Sequence, residues 1–312
     1  PMTPEWSYEA SGKMGTVAFS ADGEYIAAGS ENSILYLFEK DNSTPLWSYT
    51  MQNYVRKVSM SADGEYIVAS SYSGNVYLFD KDSNAPLWSY DTGEDTRSVS
   101  ISADGKYIAA GSNKVYFFNR ESSTPLWISC DDCINGGAEK LSISADGEYI
   151  VVGTSNEYVY LFDKDFNTPL WNYEAEEEIS SVDISADGYY VVASSYDSNC
   201  YFFGKDSSTP IWTYDTGNEP VYSVAISATG EYVVIGTYDN HIYIFDKDSS
   251  TPVSNYTTNG DVWAVDISSN GNYVVAGSDD NYVYFIDRKN SSLLWKYDTE
   301  EYVSSTSISA DG

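Results

Sequence analysis

Few side chains in this sequence are suited to chemistry. Cys130 and Cys133 form a Cys-x-x-Cys pair inside the loop "SCDDCINGGAEK". That spacing can ligate zinc or cycle between dithiol and disulfide. Zinc needs a second pair of ligands, and the sequence offers none. The two acids between the thiols disfavour thiolate, which argues against redox work. A loop disulfide between Cys130 and Cys133, or two free thiols, is what remains. The third cysteine, Cys200, stands where a repeated pattern has valine, and reads as a small core residue.

His241 is the only histidine. It occupies a turn position that holds Asn75 and Asn199 elsewhere, and no nucleophile-elbow motif accompanies it. A Ser-His-Asp triad is therefore not expected. No phosphate-cradling glycine loop occurs. The pairs Asp80/Asp82, Asp163/Asp165 and Asp246/Asp248 would suit part of a calcium site. Each pair encloses a lysine (Lys81, Lys164, Lys247) and lacks further oxygen ligands at the right spacing. Carboxylate pairs are too abundant for any one to mark a glycosidase. No catalytic residue, metal or cofactor is expected, and the chain reads as a non-enzyme.

Charge narrows the partners. The 312 residues carry 47 acidic and 16 basic side chains, a formal net charge of −31. Nucleic acid is excluded as a partner, because phosphate binding needs clustered Lys and Arg. An anionic membrane surface would repel the chain as well. Hydrophobic content of 42% and aromatic content of 16% exclude a disordered acidic tail. Uninterrupted apolar runs reach only five residues, as at Tyr189 to Ala193, so no segment inserts in a bilayer. Three cysteines allow at most one pair. Pro1-Met2 reads as a cloning remnant, which leaves the compartment unread. The acid excess also fits life at high salt, where screening relieves self-repulsion. Unfolding on desalting is the expected consequence; stability indifferent to salt would remove that reading.

The elements that position these residues follow from a repeat. Ser-Ala-Asp-Gly or a close variant recurs with its third position at Asp22, Asp63, Asp104, Asp146, Asp187, Thr229, Asn270 and Asp311. Successive intervals are 41 or 42 residues. A tryptophan follows the marker by 25 residues in most units, at Trp47, Trp88, Trp127, Trp171, Trp212 and Trp295, with Trp6 ahead of the first marker. Within a unit, "SVSIS", "YIVAS", "NVYLF" and "LWSY" are short β-branched and aromatic runs bounded by turn residues. Four short strands per ~41 residues describe a blade. The fold expected is an all-β propeller of four-stranded antiparallel blades, one domain over residues 1–312. Seven blades are expected and eight are the alternative. Residues 5–9 add an outer strand and residues 302–309 an inner one. An eight-blade ring would need an eighth blade with two strands missing, in which case the chain reads as cut from a longer repeat array.

Two repeat families share this pattern. "VAISATGEYVVIGTYDNHIYIFD" (residues 224–246) resembles a WD-type repeat. "VYLFDKDSNAPLWSYDTG" (residues 76–93) resembles the repeats of pyrroloquinoline-quinone-type propellers. The Gly-His and Trp-Asp dipeptides of WD repeats are absent, so that family's His-centred hydrogen-bond network is not expected. The quinone-type resemblance implies that the repeated tryptophan is a wedge between blades. It also implies a quinone dehydrogenase as a possible activity, but this near-uniform ring offers no converging polar set for a cofactor. The WD-type resemblance implies that one rim contacts partners.

That rim is identifiable. The Asp-Gly turns and the "DKDSSTP" turns share one face and barely vary. The other connections share the opposite face and diverge, and loops on a rigid scaffold carry binding residues. Seven positions before the marker, the units read Gly15, Arg56, Arg97, Glu139, Ser180, Tyr222, Trp263 and Ser304. Tyr54, Lys57, Lys140 and Tyr302 depart from the repeat nearby. Arginine and aromatics at a channel mouth are typical anchors of interfaces. Arg56, Arg97, Tyr54, Tyr222, Trp263 and Glu139 are therefore the candidate ligand-binding residues, expected to line one mouth. Tyr72, Tyr196 and Tyr238 share a single loop position and read as repeat consensus. A protein or peptide partner is expected. A cell-surface or glycan-binding module is the alternative, suggested by the Tyr/Trp content and by sequons at Asn42, Asn255 and Asn290.

Overall fold

A computed structural model describes residues 3–131 and 133–312. Pro1-Met2, with the reading made of it, and Asp132 lie outside the described residues. The described residues form seven sheets of four antiparallel strands, each with its strands in chain order. These are blades 1 to 7, spanning residues 14–50, 55–91, 98–128, 138–174, 179–215, 221–257 and 262–298.

Strand composition explains the packing. In blades 2 to 6 the second and third strands are buried on both faces, because a neighbouring blade covers each side. They are accordingly continuous apolar runs rather than alternating ones. The outer strands alternate half-buried and exposed residues, as in Trp88-Ser89-Tyr90-Asp91, with one face wet. The core is a series of seams between blades. In the first seam, Leu35 and Leu37 of blade 1 meet Val58, Ile67 and Phe79 of blade 2.

The Ser-Ala-Asp-Gly marker closes the hairpin between the inner and second strands. In blade 2, the Ser61 hydroxyl donates to Asp63 Oδ1 at 2.6 Å, and the amides of Glu65 and Tyr66 donate to Asp63 and Ser61 at 3.0 Å. Gly64 has φ +70°, and a Cβ there would lie 2.5 Å from the Tyr25 ring of blade 1. Both the left-handed backbone and the close approach require glycine. The tyrosine after each marker thus packs over the next blade's turn.

The tryptophans are wedges, as the quinone-type resemblance implied. Trp47, Trp88, Trp127, Trp171 and Trp212 each donate the indole N–H to a turn carbonyl of the following blade, at 2.6–2.9 Å. Each ring also lies 5.3–5.8 Å from a phenylalanine of that blade.

Seven complete blades are present, as expected, and the ring closes over an eighth position. Turn amides donate to the next turn's carbonyl all the way round: Ala21 to Ala62, Ala62 to Ala103, Ala103 to Ala145, Asp146 to Ala186, Ala186 to Ala228, Ala228 to Ser269, Asn270 to Ala310, and Ala310 back to Ala21. The circle takes eight steps. Residues 302–309 fill the inner-strand place at the eighth step: the Phe19 amide donates to Ser307 Oγ, and the Ile308 amide to Asp266 Oδ2. Residues 5–9 fill its outer-strand place. Trp6 donates to Lys40 O and lies 5.4 Å from Phe38, repeating the geometry of Trp47 on blade 2.

Candidate functional site

The variable position has a local structural cause. In six of the seven inner strands the register with the second strand shifts at this residue. Gly15, Arg56, Glu139, Ser180, Tyr222 and Trp263 are bulged residues, released from the ladder and re-aimed. In blade 3 the strand begins only at Ser98, just after this position, and the Arg97 amide donates to Gly111 O at 2.9 Å. A bulged residue carries no pairing constraint, so this position is free to differ between blades.

The side chains gather into two groups on one rim. The first spans blades 2 to 4. Arg56 grips Asp95 through two hydrogen bonds of 3.1 and 2.7 Å, and Arg97 reaches the same carboxylate at 3.1 Å. Arg97 also pairs with Glu139. The Arg56 guanidinium lies 4.5 Å from the Tyr72 ring centre, and Tyr72 lies 6.3 Å from Tyr54. Two arginines and two carboxylates thus balance each other, and the guanidinium groups are engaged within the chain.

The second group spans blades 5 to 7. Tyr222 and Trp263 stack at 4.3 Å with planes 17° apart. Tyr196 and Tyr238 approach Tyr222 edge-on at 6.1 and 6.0 Å. Burial, followed by the Asp261 charge, pushes the Tyr222 phenol up to about 12. Burial, then repulsion from Asp279 and Glu219, raises the Asp261 carboxyl above the usual range. A shallow depression beside this group is lined by Glu176, Glu177, Tyr196, Asp197, Ser198 and Asn218. The aromatic half of the rim is therefore acidic.

Below the rim, the inner strands line the channel mostly with small residues, interrupted by two lysines and two aspartates. Protein around Lys57 and Lys140 lowers both ammonium pKa values, and their mutual repulsion adds to this at Lys57. Burial raises the Asp183 carboxyl although its oxygens accept from the Ile226 and Ile184 amides and the Ser142 hydroxyl. Burial likewise pushes Asp266 up to about 7.

Several residues were not singled out from the sequence. Asp95, the hub of the arginine group, is one acid among 47. Tyr72, Tyr196 and Tyr238 are a shared repeat position, yet each packs against a candidate residue. Asp183 and Asp266 did leave a signal. Four positions before the marker the units read Ala18, Ser59, Ser100, Ser142, Asp183, Ala225, Asp266 and Ser307, and two carboxylates break a row of small side chains.

The remaining chemical candidates have local roles. Cys130 and Cys133 are joined as a disulfide, and Cys200 is buried. His241 opens a third strand and is half-buried rather than turned to solvent. Its Nδ1 lies 2.7 Å from Asp239 O, and its ring stacks on Tyr243 at 5.2 Å. In the acid pairs the first carboxylate accepts the second residue's amide at 2.9–3.0 Å, and the enclosed lysine bonds the second carboxylate. Both acids are thereby engaged in the turn.

Tandem four-stranded blades wedged by "LW" tryptophans define a propeller of quinone-type repeats. The sequence model of the family described as outer membrane protein assembly factor BamB matches residues 3–122 and 111–269, and the chain belongs to that family. No curated protein matches the chain.

Proposed function

We propose that the chain is a non-enzymatic scaffold that binds a protein or peptide on its variable rim, anchored by the Tyr222–Trp263 stack. The observation that carries this is the stack itself. Two large rings lie face to face at bulged positions, and Trp263 remains 40% exposed. Rigid aromatics lose little side-chain entropy on binding and dominate the energetics of interfaces. The carboxylates around them favour a partner segment bearing Lys or Arg, whose charge also suits an aromatic face. A cation beside Asp261 would relieve its repulsion with Asp279 and Glu219. The arginine group, already charge-balanced, acts as a fixed wall to this site. The family's description as an assembly factor agrees with holding another polypeptide.

The test is selection of peptides from a random library on the purified chain, with binding then measured to the Tyr222→Ala/Trp263→Ala variant. Basic peptides should be recovered, and the variant should bind them ~30-fold or more weakly, the loss typical of an interface anchor. Its Tm should stay close to that of the parent, since both rings lie on the rim. Peptides that ignore the substitution would refute the anchor. Carbohydrate binding that depends on the same two residues would transfer the site to the glycan alternative.

A further inference from the structure

We propose that the channel binds a small polyvalent oxyanion, phosphate or a di- or tricarboxylate, between Lys57 and Lys140. This site is separate from the aromatic anchor and does not depend on a peptide binding there.

The two lysines hold equivalent positions. Each is the first residue back on the ladder after the bulge: Lys57 opposes Ser70 in blade 2, and Lys140 opposes Gly153 in blade 4. Both side chains remain accessible from the channel. At the same place the other complete blades carry Thr16, Ser98, Ser181, Ser223 and Ala264. Two ammonium groups thus interrupt a row of small residues, one on either side of blade 3. They stand close enough to repel each other, and Arg56 and Arg97 act on Lys140 from above. Four of the chain's 16 cations therefore converge on blades 2 to 4.

Their neighbours are paired and they are not. Arg56 and Arg97 are held by Asp95 and Glu139. The turn lysines Lys81, Lys164 and Lys247 lie 3.3, 3.4 and 3.8 Å from Glu65, Glu148 and Glu231. The channel carboxylates are served as well. Asp183 accepts from the Ile184 and Ile226 amides and the Ser142 hydroxyl at 2.9–3.0 Å, and Asp266 from the Ile267 and Ile308 amides at 2.8 and 3.0 Å. The Lys57 and Lys140 ammonium groups touch no acceptor among the described residues. Asp266 and Asp183 attract Lys57, and Glu178 attracts Lys140, only across a distance. An ammonium group carries three donors, and enclosing it without an acceptor is costly. The channel is short of an acceptor, not of a donor.

An oxyanion supplies what is missing. Several oxygens on one small body can accept from both ammonium groups and cancel their repulsion. Two residues deeper, blades 2 and 3 offer the half-buried Ser59 and Ser100. Ser100 Oγ accepts the Ile143 amide at 3.3 Å, which leaves its O–H free to donate. At that same depth Asp183 and Asp266 stand on blades 5 and 7, so an anion entering from the variable rim is stopped at the lysines. The net charge of −31 does not forbid this. At physiological salt the Debye length is about 8 Å. Distant acids are screened, and contact with two enclosed ammonium groups is not.

Titration calorimetry of the full chain in about 0.15 M NaCl, with inorganic phosphate and separately with citrate, is the test. At least one of the two should bind saturably, one per chain, and raise the Tm as its concentration climbs. NaCl at matched ionic strength should not. The same anion should shield Lys57 and Lys140 from amine acetylation read by mass spectrometry, while the exposed Lys289 stays reactive. Lys57→Met and Lys140→Met should each weaken binding roughly 10-fold or more, the worth of a charge-assisted hydrogen bond. Without anion, both variants should melt no lower than the parent, since each removes one of two repelling charges. The Tyr222→Ala/Trp263→Ala variant should bind the anion as the parent does, so failure of the peptide anchor and failure of this site are told apart. Absence of saturable binding by either anion, or binding that survives the double variant Lys57→Met/Lys140→Met, would overturn the proposal. Capture of acidic peptides through the two lysines, with both free anions ignored, would give the site to a partner's carboxylate and overturn it equally.

Discussion

Trp212→Ala should be among the most damaging single substitutions in this ring, costing ~3–5 kcal/mol. The indole is sandwiched between Phe202 of its own blade at 4.9 Å and Phe245 of the next at 5.4 Å. It is 8% exposed, and its N–H donates to Lys247 O at 2.9 Å. Removal opens a cavity in the seam and strands that carbonyl at once. Trp212→Phe should retain much of the stacking and lose mainly the hydrogen bond, about 1 kcal/mol. The informative comparison is Trp295→Ala. Trp295 stacks on Phe285 at 5.0 Å but has neither a second ring nor a carbonyl partner among the described residues, so its loss should cost about half as much. Denaturant unfolding of the three variants measures this. Equal costs at Trp212 and Trp295 would mean that general burial, not the wedge between two blades, supplies the stability.

Asp266→Asn should reshape stability against pH. The Asp266 carboxylate faces the channel and accepts from the Ile267 and Ile308 amides at 2.8 and 3.0 Å. Burial outweighs those bonds, the Asp183 charge adds to it, and the Lys57 charge offsets it only in part, so the carboxyl is pushed up to about 7. Because the folded value lies above the unfolded one, folding is favoured while the group is protonated. That contribution is complete below the usual carboxylate range and is lost as pH rises through about 7. From 3.8 to about 7 the displacement amounts to at most about 4 kcal/mol. Asparagine holds no charge, so the variant should lack this slope. It should gain on the parent at pH 8, and at pH 4 it should be slightly less stable, having only one oxygen for the two amides. Thermal melts at the two pH values decide it; an identical difference at both would show that Asp266 does not titrate in this window.

Legibility differed sharply between residue classes. The marker aspartates, the turn glycines and the wedging tryptophans were evident from spacing, because each makes the same kind of contact in most blades and repeats with the period. The rim candidates were found by the opposite signal, a position at which the period fails. What they do was not evident. Arg56 and Arg97 seemed equally available for a partner, yet both are held by Asp95, which lies in a different loop from Arg56. Tyr196 and Tyr238, set aside as consensus, complete the aromatic group around Tyr222. Position along the chain identifies the rim but not which side chains meet across neighbouring blades.

The sequence by itself determined the blade, its four strands and their turns, since these depend on contacts within one repeat unit. Only the tertiary structure decided the bulge that frees the rim residues, the charge pairing among them, the four ionisable groups in the channel and the number of positions in the ring. Those outcomes depend on the wedge angle accumulated over all the blades and on which unlike side chains that angle brings together. A repeating pattern carries no record of where its circle closes, and eight turn-to-turn hydrogen bonds are what close it.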